Sequence, residues 1–120
     1  MPSFRDVLRI IGWLEKPRGW SPNKKSKLCR YAALAMCRKM SPDFMVRRTK
    51  SLATVLMATL DSDDDPEARL LAGTVLVFWN DQRALPVLHT YYESAKGRYA
   101  SRIRILTLAL EGNKSARAWV

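Results

Sequence analysis

Apolar residues return every third or fourth position along the whole chain, and no segment alternates apolar with polar residues as a half-buried strand would. Helices that each carry one apolar face must bury those faces against one another, so the expected fold is all-α, with antiparallel neighbours joined by short links. Length sets the scale. A chain of 120 residues fits one domain, which can bury roughly two thirds of the surface its unfolded form exposes.

Start and stop signals divide the chain into about six helices. The first is expected from Ser3 to Lys16, with Phe4, Val7, Leu8, Ile11 and Leu14 at helical spacing and Ser3 and Asp6 resembling a capping box. Pro17 and Gly19 break it. Ser21-Pro22 reads as a restart, a cap followed by proline at the first helical position, and Ser41-Pro42-Asp43 and Asp65-Pro66-Glu67 repeat the signal. After Ser41, Met45, Leu52, Ala53, Leu56 and Leu60 form one stripe, with Arg47, Lys50, Ser51 and Thr54 opposite. After Asp65, the apolar residues Leu70, Leu71, Val75, Leu76, Val77, Phe78 and Trp79 surround the axis, which predicts burial on most sides. Gly73 within that helix costs about 1 kcal/mol relative to alanine, which a closely approaching helix backbone would explain. The next helix, near Asp81 to Ala95, is expected to turn Leu85, Leu88 and Tyr92 inward. The last, Tyr99 to Glu111, carries Tyr99, Ile103, Leu106 and Leu110 as its core stripe and ends at Gly112.

The stretch "DDDPEARLLAGTVLVFWNDQRALPVL", Asp63 to Leu88, resembles a HEAT repeat of the kind found in bilin-lyase-like and related bacterial proteins. Asp-Pro-Glu-Ala-Arg opens one helix, an apolar run follows, and Asn-Asp-Gln-Arg-Ala-Leu-Pro-Val-Leu opens a second. A weaker copy places Arg102-Ile103 33 positions after Arg69-Leu70, and Arg117-Ala118 34 after Arg83-Ala84. Phe78-Trp79 departs from the pattern, standing where a small residue usually ends the first helix. The resemblance implies a short right-handed α-solenoid of about six antiparallel helices. The alternative is an irregular helical bundle. Residues 1–20 would then be an N-terminal helix and linker, 21–60 a basic helix pair, 61–96 the best repeat, and 97–120 a half-repeat and tail.

Charge is segregated. Residues 1–60 hold 13 Lys or Arg against 3 Asp or Glu, and residues 61–120 hold 8 of each, so the whole net charge of +10 lies in the first half. A segregated excess marks a surface for an acidic partner. Two sets of residues compete for that role. Arg38, Arg47, Arg48 and Lys50 are expected to face an acidic protein. Trp20, Lys24, Lys25, Lys27 and Arg30 are the alternative, a nucleic-acid surface on which cations contact phosphates and the tryptophan stacks on an unpaired base. Against that alternative, Trp20 could instead anchor its loop. A third set, Ile105, Leu108 and Trp119, suggests an apolar docking face or a self-association contact at the end of the array.

No reaction is legible. One histidine, His89, and two cysteines lack metal-ligand spacing, so neither a metal nor a cofactor is expected. The run Asp61-Ser62-Asp63-Asp64-Asp65 lacks the glycine and distal glutamate of a calcium loop and reads more simply as a helix cap. Cys37 reads as a small packed residue. Cys29 and Cys37, eight apart in one expected helix, are too distant to bond, and free thiols fit the cytosol. No signal-peptide layout or membrane span is expected. The chain therefore reads as a non-enzymatic adaptor.

Overall fold

The computed structural model describes residues 2–16 and 19–120, so the helix break expected at Pro17 lies outside the described residues. The fold is all-α. Among the described residues, seven helices account for most of it: α1 (Phe4–Leu14), α2 (Lys24–Met36), α3 (Leu52–Ser62), α4 (Pro66–Phe78), α5 (Ala84–Ser94), α6 (Arg98–Leu110) and α7 (Lys114–Arg117). A 3₁₀ turn, Cys37–Lys39, extends α2, and a two-stranded antiparallel hairpin, β1 (Met45–Arg47) and β2 (Lys50–Ser51), precedes α3.

Short polar residues begin most helices. Ser3, Asn23, Ser51, Asp65 and Asn113 each accept a backbone N–H from the first turn of the following helix, satisfying a donor that has no intrahelical partner. The proline signals are therefore only partly right. Asp65-Pro66 does start α4, but α2 begins two residues beyond Pro22, where Asn23 makes the cap. The departure after Ser41 is larger. The chain turns, forms the hairpin and returns, so that Leu52 N–H donates to Phe44 O at 2.7 Å and Ala53 N–H to Pro42 O at 3.0 Å. Residues 42–44 thus supply the acceptors that the start of α3 lacks. Met45 accordingly leaves the expected stripe, and Arg47 and Lys50 stand on a hairpin rather than a helix.

α4 is the central element, packing against α2, α3, α5 and α6, while α3 also packs on α5. Leu70, Ala72, Val75, Leu76 and Val77 are buried, as the apolar run predicts, but Phe78 at its end is exposed. Gly73 is the meeting point of three helices. A Cβ there would lie 3.2 Å from Leu60 of α3, 3.4 Å from Leu106 of α6 and 3.6 Å from Leu88 of α5. Leucine side chains, not a helix backbone, take up the space. In α5 the inward aromatic is Tyr91 rather than Tyr92, which is 41% exposed. The Arg69 guanidinium stacks 3.6 Å over the Tyr91 ring and donates to Leu60 O and Asp61 O, closing the C-terminal end of α3. The core of α1 is Val7, Ile10 and Leu14, while Phe4 and Leu8 of the expected stripe point to solvent. No helix among the described residues is long and apolar enough to cross a membrane.

Candidate binding surface of the basic half

Three successive carboxylates at the α3–α4 turn bond to the first half of the chain. Asp63 accepts from Arg30 at 2.7 Å, Asp64 pairs with Lys16 and Asp65 accepts from the Tyr31 hydroxyl. Asp65 also caps α4 through its other oxygen. Arg30 is only 3% exposed, and its Nε donates to Leu14 O at 3.2 Å, so one guanidinium joins α1, α2 and the turn before α4. Burial, reinforced by the hydrogen bond to Asp65, raises the Tyr31 phenol above its ordinary value. The Lys16 ammonium holds the Asp64 carboxyl below the usual carboxylate range. Capping thus describes only part of this run, which is also an electrostatic clamp.

That clamp corrects the nucleic-acid set. Arg30 is committed inside the fold and offers nothing to a phosphate. Trp20 is half-buried and meets Trp13 edge-on, with ring centroids 6.3 Å apart, so it anchors residues 19–23 on α1. Lys24, Lys25 and Lys27 remain exposed at the start of α2, and none has a carboxylate partner among the described residues. No acidic residue occupies that first turn, so the lysines face the positive end of the helix dipole uncompensated.

In the protein-facing set, Arg47, Arg48 and Lys50 come together on the hairpin. Arg47 and Lys50 share Glu15 at 2.8 and 3.4 Å, leaving Arg48 at the exposed turn without a carboxylate partner among the described residues. Arg38 belongs to a different neighbourhood: its guanidinium sits 4.4 Å over the exposed Phe78 ring at the end of α4. Lys39, beside Arg38, is exposed and meets no carboxylate among the described residues, and the same holds for Arg5 and Arg9, which the sequence reading missed.

The C-terminal apolar set divides. Ile105 and Trp119 line one hollow of about 330 Å³ together with Leu70, and Trp119 is 80% exposed, so it walls the hollow without filling it. Leu108 lies in a different groove with His89 and Tyr92. A cleft of about 450 Å³ is lined by Lys16, Arg30 and Lys50 and by Glu15, Asp63 and Asp64, among other residues. Three cations and three carboxylates leave it without net charge, so it does not extend the basic surface. No group of three or more potential metal ligands gathers among the described residues. Cys37 is buried, its thiol donates to Ala33 O, and burial pushes its pKa up to about 12, which removes it as a nucleophile near neutral pH. Neither a known protein family, nor a curated protein, nor a solved structure matches this chain.

Proposed function

We propose that this chain is a non-catalytic interaction module, a short HEAT-like array that holds an acidic protein surface against its basic first half. The observation that carries the reading is a set of eight exposed cations: Arg5, Arg9, Lys24, Lys25, Lys27, Arg38, Lys39 and Arg48. None meets a carboxylate among the described residues. The acids best placed to neutralise the basic half, Glu15, Asp63 and Asp64, are already paired with other cations. The packing order supports the HEAT resemblance, with α4 between α2 and α6 and α3 packed on α5. Helices hold the cations at fixed spacing, so charge complementarity acts with little reordering on binding. Two free thiols, Cys29 and Cys37, favour a reducing compartment such as the cytosol.

The second reading is nucleic-acid binding, and one observation favours it. Lys24, Lys25 and Lys27 crowd the positive end of α2 with no acid beside them, a repulsion that phosphates would relieve. Loss of Arg30 to the core and the anchoring of Trp20 weaken it. Fluorescence anisotropy separates the two, using a labelled glutamate-rich peptide and labelled single- and double-stranded DNA and RNA over a salt series. The protein-facing reading expects nucleic-acid binding that vanishes near physiological salt. Micromolar or tighter nucleic-acid affinity at that salt, falling steeply as salt rises, puts the second reading first.

A further inference from the structure

The first helix carries more apolar surface than its packing uses. Phe4 is 79% and Leu8 54% exposed. They lie one turn apart on a face that continues through the half-buried Ile11 to Glu15 at the C-cap. Glu15 receives Arg47 and Lys50, so the hairpin closes the far end of that face. Along β1 burial alternates, with Met45 and Arg47 outward and Val46 inward. Arg5 and Arg9 follow Phe4 and Leu8 by one position each, about 100° around the helix, and run along the open edge. Arg48 stands at the hairpin turn. Arg5, Arg9 and Arg48 all lack a carboxylate partner among the described residues.

An apolar strip edged by cations selects its occupant by charge. A second copy would bring two basic edges together in a chain of net charge +10, which repels. A helix with apolar anchors one turn apart and carboxylates beside them satisfies both features at once. We propose that an acidic amphipathic α-helix of a partner protein docks along this face, with its apolar anchors on Phe4 and Leu8 and its carboxylates on Arg5 and Arg9. The proposal rests on the acidic-partner reading and names the form that partner takes. Contact with Phe4 and Leu8 sets the register, and the arginines speed encounter.

The test uses two fluorescein-labelled peptides of about 15 residues and identical composition. In one, leucines recur at helical spacing between flanking glutamates; in the other the order is scrambled. Anisotropy titrations compare the parent protein with Phe4→Ser/Leu8→Ser and with Arg5→Glu/Arg9→Glu, each checked for parental circular dichroism. The patterned peptide is expected to bind roughly tenfold or more tightly than the scrambled one. The serine pair should erase that difference, and the glutamate pair should weaken both peptides. Equal binding of the two peptides, indifferent to the serine pair but lost on Lys24→Glu/Lys25→Glu, overturns this face and leaves the broader reading standing. No saturation by either peptide up to about 100 µM overturns both. Two other occupants are separated directly. Phosphatidylcholine–phosphatidylserine vesicles that require Phe4 and Leu8 when the peptide does not, or a dimer in sedimentation that the serine pair dissolves, would overturn the proposal.

Discussion

Replacing Asp63 with alanine should be the most damaging single change to a polar residue in this protein. Arg30 would keep its burial and lose its carboxylate, since its other mapped acceptor is only the carbonyl of Leu14. Breaking a buried pair from one side costs about 3–5 kcal/mol, because the remaining charge stays desolvated. Losing the Asp65 N–H acceptor on Asp63 adds about 1 kcal/mol. At roughly 4 °C per kcal/mol for a chain of this length, the melting temperature falls by about 16–24 °C. Asp63→Asn retains a side-chain oxygen for the Asp65 N–H and isolates the charge, so it should recover only the smaller part. Arg30→Met with Asp63→Leu removes both charges and should regain most of the loss. Urea and thermal unfolding followed by circular dichroism measure all four proteins. The exposed pair Lys16–Asp64 is the control, and Lys16→Ala should cost far less. If Asp63→Ala and Asp63→Asn each cost under about 1 kcal/mol, the clamp reasoning fails and Arg30 returns to the accessible surface.

Other consequences follow from burial and packing. In native protein near pH 8 a thiol reagent should label Cys29, which is half-buried, and spare Cys37 until the protein unfolds; prompt labelling of Cys37 would contradict its burial. Tyr31 and Tyr91 both have raised phenol pKa values, for which burial is the main cause. A folded pKa above the unfolded one contributes stability that is fully present below about pH 10 and lost as pH rises through the folded value. Alkaline absorbance titration should therefore show a late ionisation step that Tyr31→Phe reduces, and an unchanged titration curve in that variant would refute the assignment. At Gly73, alanine gains about 1 kcal/mol of helix propensity but must displace Leu60 Cδ1 from 3.2 Å. The two effects should nearly cancel. Gly73→Leu cannot fit between Leu60, Leu88 and Leu106 and should cost about 3 kcal/mol or more; an unchanged urea midpoint would show that the three-helix junction is looser than described.

Elements with one strong local cause were the most legible. Asp65-Pro66 supplied both a cap and a proline at N1, and α4 starts there. Leu52, Ala53, Leu56 and Leu60 face the core because nothing competes with their helical period. Ser41-Pro42 carried a similar signal and failed for a non-local reason: the start of α3 draws the carbonyls of Pro42 and Phe44 into its own hydrogen bonds. Periodicity also could not separate the packed stripe of α1 from its exposed one, since Phe4 and Leu8 are as apolar as Val7 and Ile10. Charge counting found the basic half but not which cations are free. Arg30 and Lys27 look alike in sequence, and only the fold brings Asp63 to one of them, 33 positions away.

The most direct test of the central claim is a salt series of anisotropy titrations with the glutamate-rich peptide and with duplex and single-stranded nucleic acids. The parent protein is compared with a triple charge reversal at Lys24, Lys25 and Arg48. The account predicts that the parent holds the peptide near physiological salt and releases nucleic acid there, and that the triple variant binds the peptide at least roughly tenfold more weakly. Nucleic-acid binding that persists at that salt, or peptide affinity unaffected by the triple reversal, would contradict it.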